Sequence, residues 1–424
     1  MPFQIGREFA IELDKIDALA SYRERFSIPL KKDGAPVIYL CGNSLGLQPR
    51  HAADYVQQEL EDWARLGVEG HFHARHPWMP YHELLSEQTA RLVGALPTEV
   101  VNMNTLTVNL HLMMVSFYHP TPQRFKIAIE AHAFPSDRYA VASQVRFHGY
   151  DPAEAIVEFP LRDGEVIHHT EDIEAFLEQE GDSIALVLPG GVNYYTGQVF
   201  NMERITRKAR EKGCRVGYDL AHGAGNIELQ LHDWEVDFAV WCTYKYLNAG
   251  PGGIAGCFVH EKHHRSPDLP RFAGWWGHDK QTRFRMPDRF SPIPTAEGWQ
   301  LSNPPILPLA ALRASLEIFD EAGMTALRQK SVRLTGYLEF LLKQLSSEGV
   351  RILTPKQTEA RGCQLSIVVE QHGKTVYERL TEAGVVCDWR EPDVIRVAPV
   401  PLYNSFTDVY HFVEIFREAL QSVK

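Results

Sequence analysis

The sequence has no CxxC pair: its six cysteines, Cys41, Cys214, Cys242, Cys257, Cys363 and Cys387, are scattered over 424 residues. Zinc ribbons and dense disulfide scaffolds need closely spaced cysteines, so both are excluded and reduced thiols in a cytoplasm are expected. No apolar run reaches the roughly 20 residues that span a bilayer. The opening MPFQIGREFAIELDKIDALA also lacks the basic region and apolar core of a secretory signal, so no membrane partner is expected. Positive charge is not in excess either. Acids number 54 against 43 Lys and Arg, and the net charge of -11 argues against a general affinity for nucleic acid. Repeats and low-complexity linkers are missing, and the HFHARH stretch at 71–76 has no companion acid or cysteine pattern, so no metal is expected.

What is present is the pattern of an α/β protein. From about Glu83 to Val259, β-branched apolar runs alternate with amphipathic helical stretches, as in a mostly parallel sheet covered by helices. Phe125 to Glu130, Ser183 to Leu188, Arg215 to Asp219, Phe238 to Cys242 and Ile254 to Val259 read as strands. Asn201 caps a helix that stops at Gly213. After SNPPILPLA the pattern changes. A long helical segment from about Leu309 to Leu345, broken near Gly323, precedes strands at Arg351 to Leu353 and Gln364 to Val369. A helix around Thr375 to Ala383, two short strands and a last helix from Asp408 to Leu420 complete a smaller α+β unit. The expected division is an N-terminal segment over 1–50 that packs on the body, a large domain over 51–310 and a small domain over 311–424.

Sites in such sheets collect at the carboxyl ends of strands, where Asp219 and Lys245 both fall. A strand-end acid followed 26 positions later by a lysine suits a pyridoxal site, which needs an amine for the aldehyde and a carboxylate for the ring nitrogen. The lysine must shed its proton to attack an aldehyde, which a cation-rich pocket favours. Spacing alone leaves open a surface lysine and a helix-capping Asp. The turn Asn248-Ala249-Gly250-Pro251-Gly252-Gly253 lets backbone approach a cofactor or a neighbouring chain, and reads equally as a tight connection between strands. Phe134, in FPSD at a strand end, offers a ring for stacking on a pyridine, or packs in the core. Leu106 and Thr107 open an apolar helix whose N-terminus suits a phosphate, and Thr107 also reads as a simple N-cap.

Taken together, these segments resemble the kynureninases among the fold-type-I pyridoxal-phosphate enzymes. The resemblance runs through GNSLGLQP from Gly42, TLTVNLH from Thr105, FPSD, YYTGQ at Tyr194 to Gln198, YDLAHGAGN, YKYLNAGPGG, GWWGH from Gly274, SNPP from Ser302, RGCQL from Arg361 and IRVAPVPLYNSF from Ile395. It implies an aspartate-aminotransferase-like large domain with a smaller C-terminal α+β domain. It also implies the cofactor pyridoxal 5'-phosphate and hydrolysis of L-kynurenine to anthranilate and L-alanine, with 3-hydroxykynurenine as a related substrate, in tryptophan catabolism or NAD biosynthesis.

Residue by residue, the resemblance makes Lys245 the Schiff-base lysine, Asp219 the ring-nitrogen partner and Phe134 the stacking ring. Leu106, Thr107, Asp137, His222 and Tyr244 match other cofactor contacts, with Tyr244 serving in proton transfer. Trp275 and Asn303 match positions that reach the cofactor from a second subunit, which implies a homodimer with shared sites. Ser44, His71 and Asn303 resemble substrate-side positions, and Arg396 would hold the substrate carboxylate with its planar fork. One departure stands out. Many relatives carry a hydroxyl residue in the turn before YTGQ, where this chain reads Pro189-Gly190-Gly191-Val192-Asn193. The nearest rival, a cysteine desulfurase of the same fold, needs a reactive thiol; Cys363 leads into QLSIVVE and reads as buried.

Overall fold

The computed structural model describes residues 2–266, 269–345 and 349–423. Seven strands build the main sheet: β1 (Val100–Asn102), β2 (Lys126–Ile129), β3 (Ile156–Glu158), β4 (Ile184–Val187), β5 (Arg215–Asp219), β6 (Phe238–Cys242) and β7 (Ala255–Val259). Their order is β1-β7-β6-β5-β4-β2-β3. The pairs from β6 to β3 are all parallel, whereas β7 runs antiparallel to both its neighbours. Every residue of β4, β6 and β7 is buried. Helices cover both faces of such a sheet, and its strands therefore read as unbroken apolar runs.

A second, antiparallel sheet has the order β8-β9-β11-β10, from β8 (Val350–Ile352), β9 (Leu365–Val369), β10 (Asp388–Arg390) and β11 (Val394–Val397). Two long helices, Ile306–Ala322 and Met324–Lys343, link the sheets. They are separated by Gly323, whose φ of +74° is one that a side chain would strain. The first helix buries Leu309, Leu312, Leu316 and Phe319 in the core of the large sheet. The second turns Leu334, Leu338, Leu341 and Leu342 into a separate core with β9, β11 and the last helix, Phe406–Ser422. The N-terminal stretch serves both: Phe9, Ala10 and Leu13 pack in the small core, Leu19, Phe26 and Leu47 in the large one.

Candidate active site

Because β2, β4, β5 and β6 are parallel, their carboxyl ends emerge along one edge of the sheet. Glu130 follows β2, the Pro189–Gly191 turn follows β4, Asp219 ends β5, and Tyr244 and Lys245 come just after β6. Two helices point their N-termini at the same edge. Leu106 opens Leu106–Phe117, and Phe134 caps Pro135–Phe147, where proline at the first position costs no hydrogen bond. These segments enclose a cavity lined by Leu106, Thr107, Phe134, Asp137, Asp219, His222, Tyr244 and Lys245. The structure thus brings together eight of the residues singled out from the sequence. Thr107 lies inside its helix rather than capping it, and its hydroxyl is 3.3 Å from that of Ser136.

The cavity is acid-rich rather than cation-rich. Glu130, Asp137 and Asp219 all face it. Lys245 Nζ is 3.1 Å from His222 Nε2 and lies 5.9 Å and 6.0 Å from the ring centres of Phe134 and Tyr244. Asp219 accepts the Ala221 N–H at 2.7 Å, yet burial still raises its carboxyl above the usual range, against the pull of Lys245. Burial likewise lifts Asp137, with the charge of Asp219 adding to it. His222 is driven well below the ordinary imidazole value by burial and then by Lys245, so it is neutral. The Tyr244 phenol is raised by burial and by the neighbouring Cys242, so it keeps its proton. Buried groups of this kind, shifted by desolvation and by one another, mark functional sites.

The other expected residues lie outside this cavity. Arg396 is buried on β11, where it is held by Asp388 at 2.5 Å and by the Tyr194 carbonyl at 2.8 Å. It adjoins the cavity through Tyr194, whose ring meets Phe134 edge-on at 5.0 Å. Ser44 belongs to a turn that docks on the site's backbone: the Gly46 N–H donates to the Tyr244 carbonyl at 2.8 Å. His71 pairs with the Val68 carbonyl at 2.9 Å. Trp275, 41% exposed, donates to the Arg283 carbonyl, and Asn303 is exposed.

Sequence reasoning gave no role to Glu130, Ser136, Tyr194 and Ala221 and left the turn carrying Gly190 and Val192 open, and all of these residues line the cavity. The strand-end rule that found Asp219 applies equally to Glu130, and was the available signal. Gly190 donates its N–H to Glu130 Oε2 at 3.0 Å, so at this position the turn that departs from the hydroxyl pattern offers a backbone group in place of a hydroxyl.

This strand order, with acids and a lysine at adjacent strand ends, is the fold of the pyridoxal-phosphate-dependent fold-type-I enzymes. The apo structure of a cysteine desulfurase from Thermococcus onnurineus NA1 has a TM-score of 0.76 at 17% identity, covering 99% of this chain and 99% of that one. The cysteine desulfurase CsdA of Escherichia coli gives 0.76 at 19% identity over 95% of this chain and 98% of that one. Those identities speak for the fold alone.

Sequence relatives narrow the class. The chain is 65% identical to the kynureninase of Myxococcus xanthus (strain DK1622) over 97% of each sequence, and 60% identical to that of Koribacter versatilis (strain Ellin345) over 98% of each. Residues 327–416 match the kynureninase C-terminal domain family. The chain belongs to the kynureninase family, and is a hydrolase acting on carbon–carbon bonds. The cysteines agree with that against the desulfurase alternative. Cys363 is 1% exposed and its thiol is pushed up to about 12 by burial, which leaves no nucleophilic thiolate.

Proposed function

We propose that the enzyme hydrolyses the Cβ–Cγ bond of L-kynurenine to give anthranilate and L-alanine, and that it also accepts 3-hydroxykynurenine. The observation that carries this reading is Lys245 facing Asp219 and Asp137 in a cavity onto which two helix N-termini open. That donor set fits pyridoxal phosphate. The N–H groups at Leu106 and Thr107 suit the phosphate, the Asp219 carboxylate suits a protonated ring nitrogen, and Phe134 offers its face to the ring. Bound there, the cofactor supplies an electron-withdrawing ring that delocalises the negative charge arising at the substrate's α-carbon.

The chain's own groups do the rest. Asp219 would keep a proton on the ring nitrogen. Lys245 Nζ would hold the cofactor through its amine, and the same nitrogen would serve as base for the substrate's α-proton. The neutral imidazole of His222, 3.1 Å from that nitrogen, accepts or returns a hydrogen bond without adding competing charge. Tyr244 retains its phenolic proton and is the second proton donor the reaction needs. Arg396, which adjoins the cavity through Tyr194, would grip the substrate carboxylate. Ser44, His71 and Asn303 bound the substrate's aromatic end. Trp275 and Asn303 reach the cofactor from a second copy of the chain, so the working unit is a homodimer in the cytoplasm, serving tryptophan catabolism or NAD biosynthesis. Incubation with each substrate, followed by anthranilate or 3-hydroxyanthranilate fluorescence, tests the assignment. Formation of neither product by protein that holds the cofactor would overturn it.

A further inference from the structure

Three carboxyls line the cavity, and the roles above leave Glu130 unused. Glu130 is 3% exposed, and it reaches across from the end of β2 to the turn after β4, where Oε2 accepts the Gly190 N–H at 3.0 Å. That turn also grips Asp219. The Asp219 N–H donates to the Pro189 carbonyl at 3.2 Å, and the Asp219 carbonyl accepts from Gly191 at 2.8 Å. Position 190 leaves little room for a side chain, since a Cβ there would stand 3.0 Å from Glu130 Oε1. The carboxyl of Glu130 therefore fills space next to residue 190 that a side chain at that position would need.

We propose that Glu130 is a positioning residue: it holds the Gly190 turn against Asp219 and, by gaining or losing a proton, sets how firmly Asp219 holds the proton on the cofactor's ring nitrogen. This rests on the role given to Asp219 above. An ionised Glu130 adds negative charge beside Asp219 and favours a cationic ring; a protonated one removes that charge. Burial pushes the Glu130 carboxyl up to about 7, with Asp219 and Glu158 adding to the rise and the Gly190 N–H opposing it. The charged and titratable groups around it are Asp219, Asp137 and Lys245 on the cavity side, and Glu158 on β3 with its partner Arg138 and nearby His168. Among these, Glu130 is the carboxyl that also bonds the turn holding Asp219.

The visible absorbance of the holoenzyme, titrated from about pH 6 to about pH 9, responds to charge placed beside the bound ring, in addition to any titration of the cofactor's own bond to Lys245. Wild-type protein is expected to show a transition near the Glu130 value of about 7. Glu130→Gln keeps an oxygen for the Gly190 N–H, so it is expected to bind pyridoxal phosphate within a factor of about three and to lose that transition. Glu130→Ala is expected to lose the transition and to bind about tenfold more weakly, one buried hydrogen bond being gone. Gly190→Ala, which presses a methyl on the carboxyl, is expected to move the midpoint without removing it. An unchanged titration in Glu130→Gln overturns the proposal. Should that variant fail to fold, an unmoved midpoint in Gly190→Ala overturns it instead. Wild-type protein that takes up no cofactor refutes the reading of the whole site, a different result from a bound cofactor whose titration ignores Glu130.

Discussion

In the proposed mechanism two tasks, holding the cofactor and moving the α-proton, fall on the one nitrogen of Lys245, so no other side chain would replace it. Lys245→Ala is expected to abolish the visible absorbance of the bound cofactor and to lower turnover by at least about 10³-fold, since a positioned acid–base group alone contributes 10²–10⁴. Retained activity would sink the mechanism. Asp219 sets function against stability. Burial raises its carboxyl, so the folded chain holds that proton more tightly than the unfolded chain does. The associated stability is complete below the ordinary carboxyl value and is lost as the pH rises through the folded one. At about pH 8 the ionised group costs stability in the cofactor-free enzyme. Asp219→Asn is therefore expected to raise the urea midpoint of that form at alkaline pH, while turnover drops about 100-fold or more because the ring nitrogen loses its charge partner. A midpoint that falls would show that the carboxylate stabilises the empty site.

At the scale of elements, the turn carrying Ser44 is fixed to the site by backbone. A Cβ on Gly46 would lie 2.3 Å from the Lys245 carbonyl oxygen and 2.9 Å from Asn248 Cα, neither of which yields as a flexible side chain would. Gly46→Ala is expected to displace the Lys245 backbone and weaken cofactor retention by about tenfold or more, measured by dialysis against a competing aldehyde trap. Elements of this kind were legible to different degrees. The strands of the main sheet were readable because burial on both faces leaves an unbroken apolar run, and β5 and β6 fall on the expected residues. Asn201 caps its helix through the Arg204 N–H as expected. The helix expected from about Leu309 starts earlier, at Ile306, because Pro308 is tolerated in a first turn where its missing N–H has no partner to lose. The last helix likewise begins at Phe406, ahead of Asp408, since Ser405 and Asp408 form a capping box. Glu130 escaped notice for a different reason: it stands at a strand end as Asp219 does, but a glutamate next to a loop reads as solvated, whereas the fold buries it to 3% exposure against the Gly190 N–H.

For the whole molecule, the cavity of one chain brings together eight of the residues proposed to hold the cofactor, while Trp275 and Asn303, proposed for the same task, stand on its surface. Trp275 packs edge-on with Phe284 at 5.2 Å, and the ring of Phe284 is 55% exposed. Trp63 and Phe72 are also exposed, at 62% and 58%. An exposed aromatic pair such as Trp275 and Phe284 suits an interface, and in the proposed homodimer a two-fold pairing would carry Trp275 and Asn303 of each chain to the other's cavity. Shared sites make a quantitative prediction. Lys245→Ala and a Trp275→Ala, Asn303→Ala double variant should each be nearly inactive alone. Mixed in equal amounts under exchange conditions, half the dimers are hybrids, and in each hybrid one site has both defects and the other has neither. Activity should then recover to about a quarter of the wild-type value, the share of sites left intact by a symmetric exchange. No recovery on mixing, despite hybrids demonstrated by differential tagging, would mean that each chain builds its site alone and that Trp275 and Asn303 act elsewhere.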